Sequence, residues 1–175
     1  VVARDEDDVG VRLGDTRRDR ADAELRHELD VDASRRVRVL RVVDQLRKVY
    51  EAALAHPKID GLVIGTRPDC VPDDVLDYLA DLSRRKVIEL ELGIESCDDA
   101  TLTRVNRGHD FAAAEDAIRR AATRGLQVAA HIMFDLPGES RESMLAGATK
   151  LSALPLNSLK LHQLQVIKHT VLANQ

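Results

Sequence analysis

Five side chains able to donate or accept protons fall on alternate positions of three short apolar stretches. They are Glu89 and Glu91 in VIELELG, His131 in LQVAAHIMF, and Lys160 and His162 in LNSLKLHQL. Alternate residues of a strand share one face, so each stretch pairs a polar face with an apolar one: Ile88, Leu90 and Leu92; Val128 and Ile132; Leu159 and Leu161. Carboxylates, imidazoles and an amine gathered on one surface can hold a polar ligand and move protons. Lys160 could form a Schiff base with a carbonyl, as in an aldolase-type barrel. His131, His162 and an acid could bind zinc, although they lie on separate strands and nothing matches H-E-x-x-H. The same groups could instead satisfy one another as a buried network, which close pairing would make tolerable. Just beyond Glu91 come Gly93, Glu95 and an Asn-Arg-Gly-His run that ends at His109.

The elements that must present these groups alternate. VVDQLRKVYEAALAH reads as a helix that stops before Pro57, and IDGLVIGT (59–66) as a strand between prolines. Residues 72–85 read as a helix with Pro72 at its first position, and 87–93 as a strand. Helices follow over 98–106 and 111–125, the second stopped by Gly125. A strand over 126–134, a helix over 139–154 and a strand over 156–164 complete the order α-β-α-β-α-α-β-α-β. Alternation with short links predicts parallel strands, paired in chain order. A doubly wound sheet would be apolar on both faces. A partial β/α barrel explains one apolar and one polar face: helices cover the outside, and Glu89, Glu91, His131, Lys160 and His162 line a lumen where barrels bind ligands. No G-x-G-x-x-G follows a strand, which argues against a dinucleotide site.

Composition narrows the class. With 175 residues and only 2% aromatic content, a single core must be built from Val, Leu, Ile and Ala. The net charge of −4 gives no basic stripe for nucleic acid. No apolar run approaches the roughly 18 residues of a membrane span, and the charged N-terminus does not read as a signal peptide. Cys70 and Cys97 are too few for a disulfide framework and lack metal-ligand spacing, so a reducing, cytoplasmic setting is expected. Residues 1–41 differ in texture from 42–175: they hold ten Arg and eight Asp but no Lys, Ile, Pro or aromatic residue. They read as a disordered mixed-charge segment packing poorly on the rest, or as a stretch translated in a shifted frame. The first Met is Met133, which fits a fragment.

Four stretches in succession carry a family resemblance: DGLVIGTRPDCVPDDVLDYL, ELELGIESCDDATLTRVNRGHDF, HIMFDLPGESRESML and LKLHQLQVIKHTVLA. From about Val42 onward the chain resembles the radical S-adenosylmethionine (SAM) core, and within it the YhcC-like group, related to the Elongator protein 3 and oxygen-independent coproporphyrinogen oxidase enzymes. The resemblance implies a partial β/α barrel, here lacking its first strands. It implies SAM and a [4Fe-4S] cluster as cofactors, and reductive cleavage of SAM to a 5′-deoxyadenosyl radical that takes hydrogen from a substrate the resemblance does not name. It places Glu95 at the SAM ribose and Arg107 at the SAM carboxylate, which a guanidinium grips with two parallel hydrogen bonds. It makes His131 a polar SAM contact and sets Leu136 to Glu139 as the turn bordering adenine, where Gly138 permits close approach; Glu91 faces the same lumen. Two departures stand out. The family's Cys-x3-Cys-x2-Cys loop is absent, so the cluster is not expected to bind this chain, and the chain alone is expected to be inactive: a remnant or a nucleoside-binding half barrel. Asp135 stands where the family has glycine, and is expected either to cap the following helix or to crowd the nucleotide.

Overall fold

The computed structural model describes residues 43–174; the expectations for residues 1–41 lie outside the described residues. The chain divides into two units, Val1–His56 and Pro57–Gln175. In the first, residues 43–54 form helix α1, as the apolar spacing predicts.

The second unit is built on one parallel sheet. Its strands are β1 (Gly61–Thr66), β2 (Val87–Glu95), β3 (Gln127–Phe134) and β4 (Ser158–Gln163), paired in the order β1-β2-β3-β4. All three pairings are parallel, and spatial order equals chain order, as expected. Helices α2 (Asp73–Ser83), α3 (Asp99–Arg104), α4 (Phe111–Thr123) and α5 (Arg141–Ser152) make the connections. Buried Val75, Leu76, Leu79 and Leu82 of α2 and Ala114, Ala117, Ile118 and Ala121 of α4 form the core with Ile88, Leu90, Leu92, Val128 and Ala130 of the sheet. Alanines on α4 let that helix approach the strands closely, so an aliphatic core without large rings still fills. Pro72 is the N-cap of α2 rather than its first helical residue, and its carbonyl accepts from the amides of Val75 and Leu76.

The register sorts the sheet's two faces. Leu90 stands opposite Ile64 and Val128, while Glu89 stands opposite Val63 and Gln127, and His131 opposite Lys160. The apolar face is the helix-covered one and the polar face is open: Val63 there is 62% exposed. The covering is uneven. Leu159 and Leu161, expected to be covered by helices, are 47% and 54% exposed: α5 stands off β4, and an apolar cleft lined by Met144, Gly147 and Leu151 of the helix separates them.

Candidate functional site

Two groups of the expected residues form on the sheet and at its C-terminal edge. On the polar face, Glu91 lies one row below His131 and Lys160. His131 Nε2 is 2.9 Å from Glu91 Oε2, and Lys160 Nζ donates to both Glu91 oxygens at 3.0 and 3.2 Å. The Lys160 ammonium, and after it the His131 ring, hold the Glu91 carboxyl below the usual carboxylate range, against an opposing effect of burial. Ser158 donates to Glu89, and the ring of His162 stacks obliquely 5.2 Å from that of His131. The five expected lumen residues therefore share a surface, with the acids paired. Among the described residues no group of three His, Cys, Asp or Glu is arranged to hold a metal ion, so the zinc alternative finds no support there.

The second group depends on two local departures from regular structure. At the end of β2 the register shifts between Gly93 and Glu95, and Glu95 takes a φ of 70°, which turns its side chain along the C-terminal edge. Helix α3 has six residues; Asp98 caps it, accepting from the Ala100 amide and the Thr101 hydroxyl. It ends two residues short of the predicted 106, because Asn106 (φ 53°) and Gly108 (φ 83°) turn the chain back. That reversal brings Arg107 beneath the end of β2. Arg107 Nη2 donates to the Gly93 carbonyl at 2.6 Å and stands 3.3 Å from Glu95 Oε1, while its Nε is buried with no partner. A Cβ on Gly93 would come within 2.7 Å of Arg107 Nη2 and 2.9 Å of Glu95 Oε1, so this pair occupies the space that glycine leaves.

Beside it runs the Asp135–Glu139 turn. Asp135 adopts a φ of 64° and Gly138 one of 76°. The left-handed backbone at Asp135 accounts for glycine in the related motif; an aspartate is among the few other residues that accept it. Asp135 does not cap α5: Ser140 does, accepting from the Ser143 amide, and the helix begins at Arg141 rather than 139. A Cβ on Gly138 would lie 2.2 Å from Arg104, whose Nη1 donates to the Pro137 carbonyl at 2.7 Å. Glu139 turns inward and accepts from the Ser96 hydroxyl, leaving its Oε2 buried without a partner. Ser96, 1% exposed, also accepts from the Asp98 amide at 3.0 Å. The sequence reading missed Ser96 and noted Gly93 without giving it a role; the available signal was their position at the C-terminal end of an acid-bearing strand. On the far side of the Arg107 loop, Arg67 grips Asp69 with two nitrogens and holds Asp69 below its usual range. A Cβ on Gly108 would come 3.2 Å from this guanidinium.

A parallel β/α arc with its polar side chains at the C-terminal strand ends defines the class. The chain belongs to the radical SAM superfamily, whose family model matches residues 18–148, a span that begins within the N-terminal segment set apart by its composition. It is similar to Protein YhcC of Escherichia coli (strain K12), 40% identical over 132 residues that cover 75% of this chain and 43% of that protein. It is likewise similar to Uncharacterized protein YtqA of Bacillus subtilis (strain 168), 37% identical over 133 residues, 76% and 41% of the two chains. The chain thus spans about two-fifths of the length of these curated relatives. Among solved structures, an archaeal Methanocaldococcus infernus Elp3 with an N-terminal deletion superimposes with a TM-score of 0.57 at 26% identity, over 65% of this chain and 27% of that one. Coproporphyrinogen III oxidase (HemN) from Escherichia coli, described as a radical SAM enzyme, gives 0.53 at 20% identity, over 60% and 24%. The fold is a partial parallel β/α barrel whose sheet does not close.

The residues present fit the family's two cofactors unequally. A [4Fe-4S] cluster needs clustered thiolates. Here Cys70 is exposed and Cys97 is 6% exposed, with burial pushing its thiol up to about 11; no Cys-x3-Cys-x2-Cys occurs. This pair does not fit the cluster. SAM is fitted better: Arg107 offers a buried, unpartnered Nε beside Glu95 at the strand ends.

Proposed function

We propose that the unit from Pro57 onward is the SAM-binding part of a radical SAM core, and that this chain alone binds SAM weakly without cleaving it. Arg107 would take the carboxylate of the amino-acid moiety, Glu95 the ribose hydroxyls, and the Leu136–Glu139 turn would border adenine, while the space beside Gly138 is taken by Arg104. Glu91 and His131 would line the floor, their mutual hydrogen bond fixing the imidazole's orientation. When bound beside a reduced cluster, SAM supplies the family's 5′-deoxyadenosyl radical; this chain's own residues orient and hold the molecule. The single observation that carries the reading is the buried Nε of Arg107, a cationic donor lacking a partner at the ligand-binding end of the barrel. With two free cysteines the setting proposed is the reducing cytoplasm, and among the described residues no helix is long and apolar enough to cross a membrane. The partner proposed is a substrate molecule, without membrane or nucleic acid.

A charge-assisted hydrogen bond contributes roughly 1.5–3 kcal/mol, and ordering the ligand costs at least several kcal/mol. Without iron chelation the dissociation constant is then on the order of millimolar. Calorimetry or an NMR titration tests this: binding disappears in Arg107→Ala and persists in Lys48→Ala, an exposed residue of α1. Micromolar affinity, or an Arg107→Ala variant that binds like the parent, overturns the assignment. Anaerobic reconstitution followed by iron and sulfide analysis tests the inactivity. A full cluster on the chain, with 5′-deoxyadenosine formed under dithionite, overturns that half.

A further inference from the structure

Glu95 and Arg107 are each other's partners in this structure, although the reading above gives each to a different part of SAM. The way they pair is informative. Glu95 meets the guanidinium with one oxygen, 3.3 Å from Nη2, and Nη2 also donates to the Gly93 carbonyl. Nε stays buried with no partner. Nε and Nη2 form the side edge of a guanidinium, the edge that a carboxylate meets with two parallel hydrogen bonds. Glu95 therefore lies against one nitrogen of a two-donor fork as an ion-pair partner and leaves the other nitrogen unsatisfied. Glu95 sits at the register shift with a φ of 70°, at the partly exposed C-terminal end of β2. Neither partner is deeply buried, with side chains 23% and 20% exposed, so the pair is weak enough to exchange.

Resting on the SAM reading, we propose that Glu95 is a built-in competitor for the ligand carboxylate at Arg107, and that binding exchanges partners. The incoming carboxylate takes Nε and Nη2 together, and Glu95 swings to accept from the two vicinal hydroxyls of the ribose. The exchange satisfies the idle Nε and gives the displaced carboxylate new donors. It also makes the site selective. A free amino acid displaces Glu95 but offers it no diol, leaving two carboxylates side by side with one cation. A nucleoside without a carboxylate satisfies Glu95 only by taking it from Arg107. A molecule bearing both groups at the right spacing meets neither penalty.

The test uses the 175-residue chain and two probes that carry the carboxylate: L-methionine, which has no diol, and S-adenosylhomocysteine, which has one. Both displace Glu95 from Arg107, and only S-adenosylhomocysteine gives it new donors. In Glu95→Gln the competitor's charge is gone, so methionine binds about five-fold more tightly than to the parent, as removal of a pair of about 1 kcal/mol requires, while S-adenosylhomocysteine, which loses its charged diol contact in the same variant, gains less. Glu95→Asn repeats the measurement with a residue more at ease in the left-handed region, in case glutamine disturbs the fold there. If both variants leave methionine affinity unchanged, or shift the two probes equally, the SAM reading stands and the exchange is wrong. If neither probe binds, or both bind Arg107→Ala as they bind the parent, Arg107 takes no ligand carboxylate and both readings fall.

Discussion

Replacing Gly93 by alanine tests the geometry at the end of β2, because its sign depends on two other residues. Gly93 is buried and is not in the left-handed region, so its backbone accepts alanine. In a strand, alanine improves on glycine by roughly 0.5–1 kcal/mol. The added carbon, however, would lie 2.7 Å from Arg107 Nη2 and 2.9 Å from Glu95 Oε1, and 3.6 Å from the Thr66 carbonyl. Only the two side-chain ends are too close, and they must leave. Arg107 then gives up its 2.6 Å bond to the Gly93 carbonyl, a charged and partly buried hydrogen bond of roughly 1.5–3 kcal/mol. With both side chains partly exposed the lower half of that range applies, and Gly93→Ala should destabilise by about 1 kcal/mol net. In a Glu95→Ala, Arg107→Ala background nothing is displaced, and the same substitution should stabilise by roughly 0.5–1 kcal/mol. Urea denaturation of the four proteins, analysed by linear extrapolation, measures both. Equal effects in the two backgrounds would refute the argument that the ion pair fills the space above Gly93.

Two further outcomes follow from the electrostatics. Because Glu91's folded pKa is lowered, its stabilisation is present above the unfolded value near 4.5 and is lost as pH falls through the folded value. Glu91→Gln should therefore cost about 1 kcal/mol at neutral pH, given a half-exposed Lys160 partner, and progressively less below pH 4.5, checked by thermal unfolding across pH; a constant difference down to pH 3 on the order of the neutral value would contradict the linkage. Iodoacetamide near pH 8 should modify exposed Cys70 readily and buried Cys97, whose thiol is pushed up to about 11, only after denaturant is added, with mass spectrometry counting the adducts.

The strands were legible because alternation is a strong signal. Ile88, Leu90 and Leu92 against Glu89 and Glu91 set the faces of β2, and the polar residues of β3 and β4 fell in line. The site was legible in part. Arg107 came from the NRGH resemblance, and no periodicity could place it against Glu95, since their meeting depends on a bulge and on a helix cut to six residues. Asn106 and Gly108 carried the signal for that reversal in hindsight, as residues tolerant of positive φ. Asp135 shows the opposite failure: its local chemistry suggested a helix cap, yet the backbone put it in a left-handed turn and gave the cap to Ser140. Leu159 and Leu161 read as core, but whether a strand's apolar face is covered depends on what lies over it, which the strand's own pattern does not contain.

The strand order has a consequence for how the site loosens. Among the described residues each strand bonds only to its neighbours in the chain, so the sheet behaves as a short zipper, with β4 held along one side by β3. Fraying at β4 withdraws Lys160 from Glu91 while leaving β2 between β1 and β3, where Glu95 and the Gly93 carbonyl that steadies Arg107 are anchored. Amide exchange with deuterium would register this as a gradient, fastest at β4 and slowest through the middle of β2 and β3. The floor of the lumen would breathe while the arginine clamp at its rim stayed assembled.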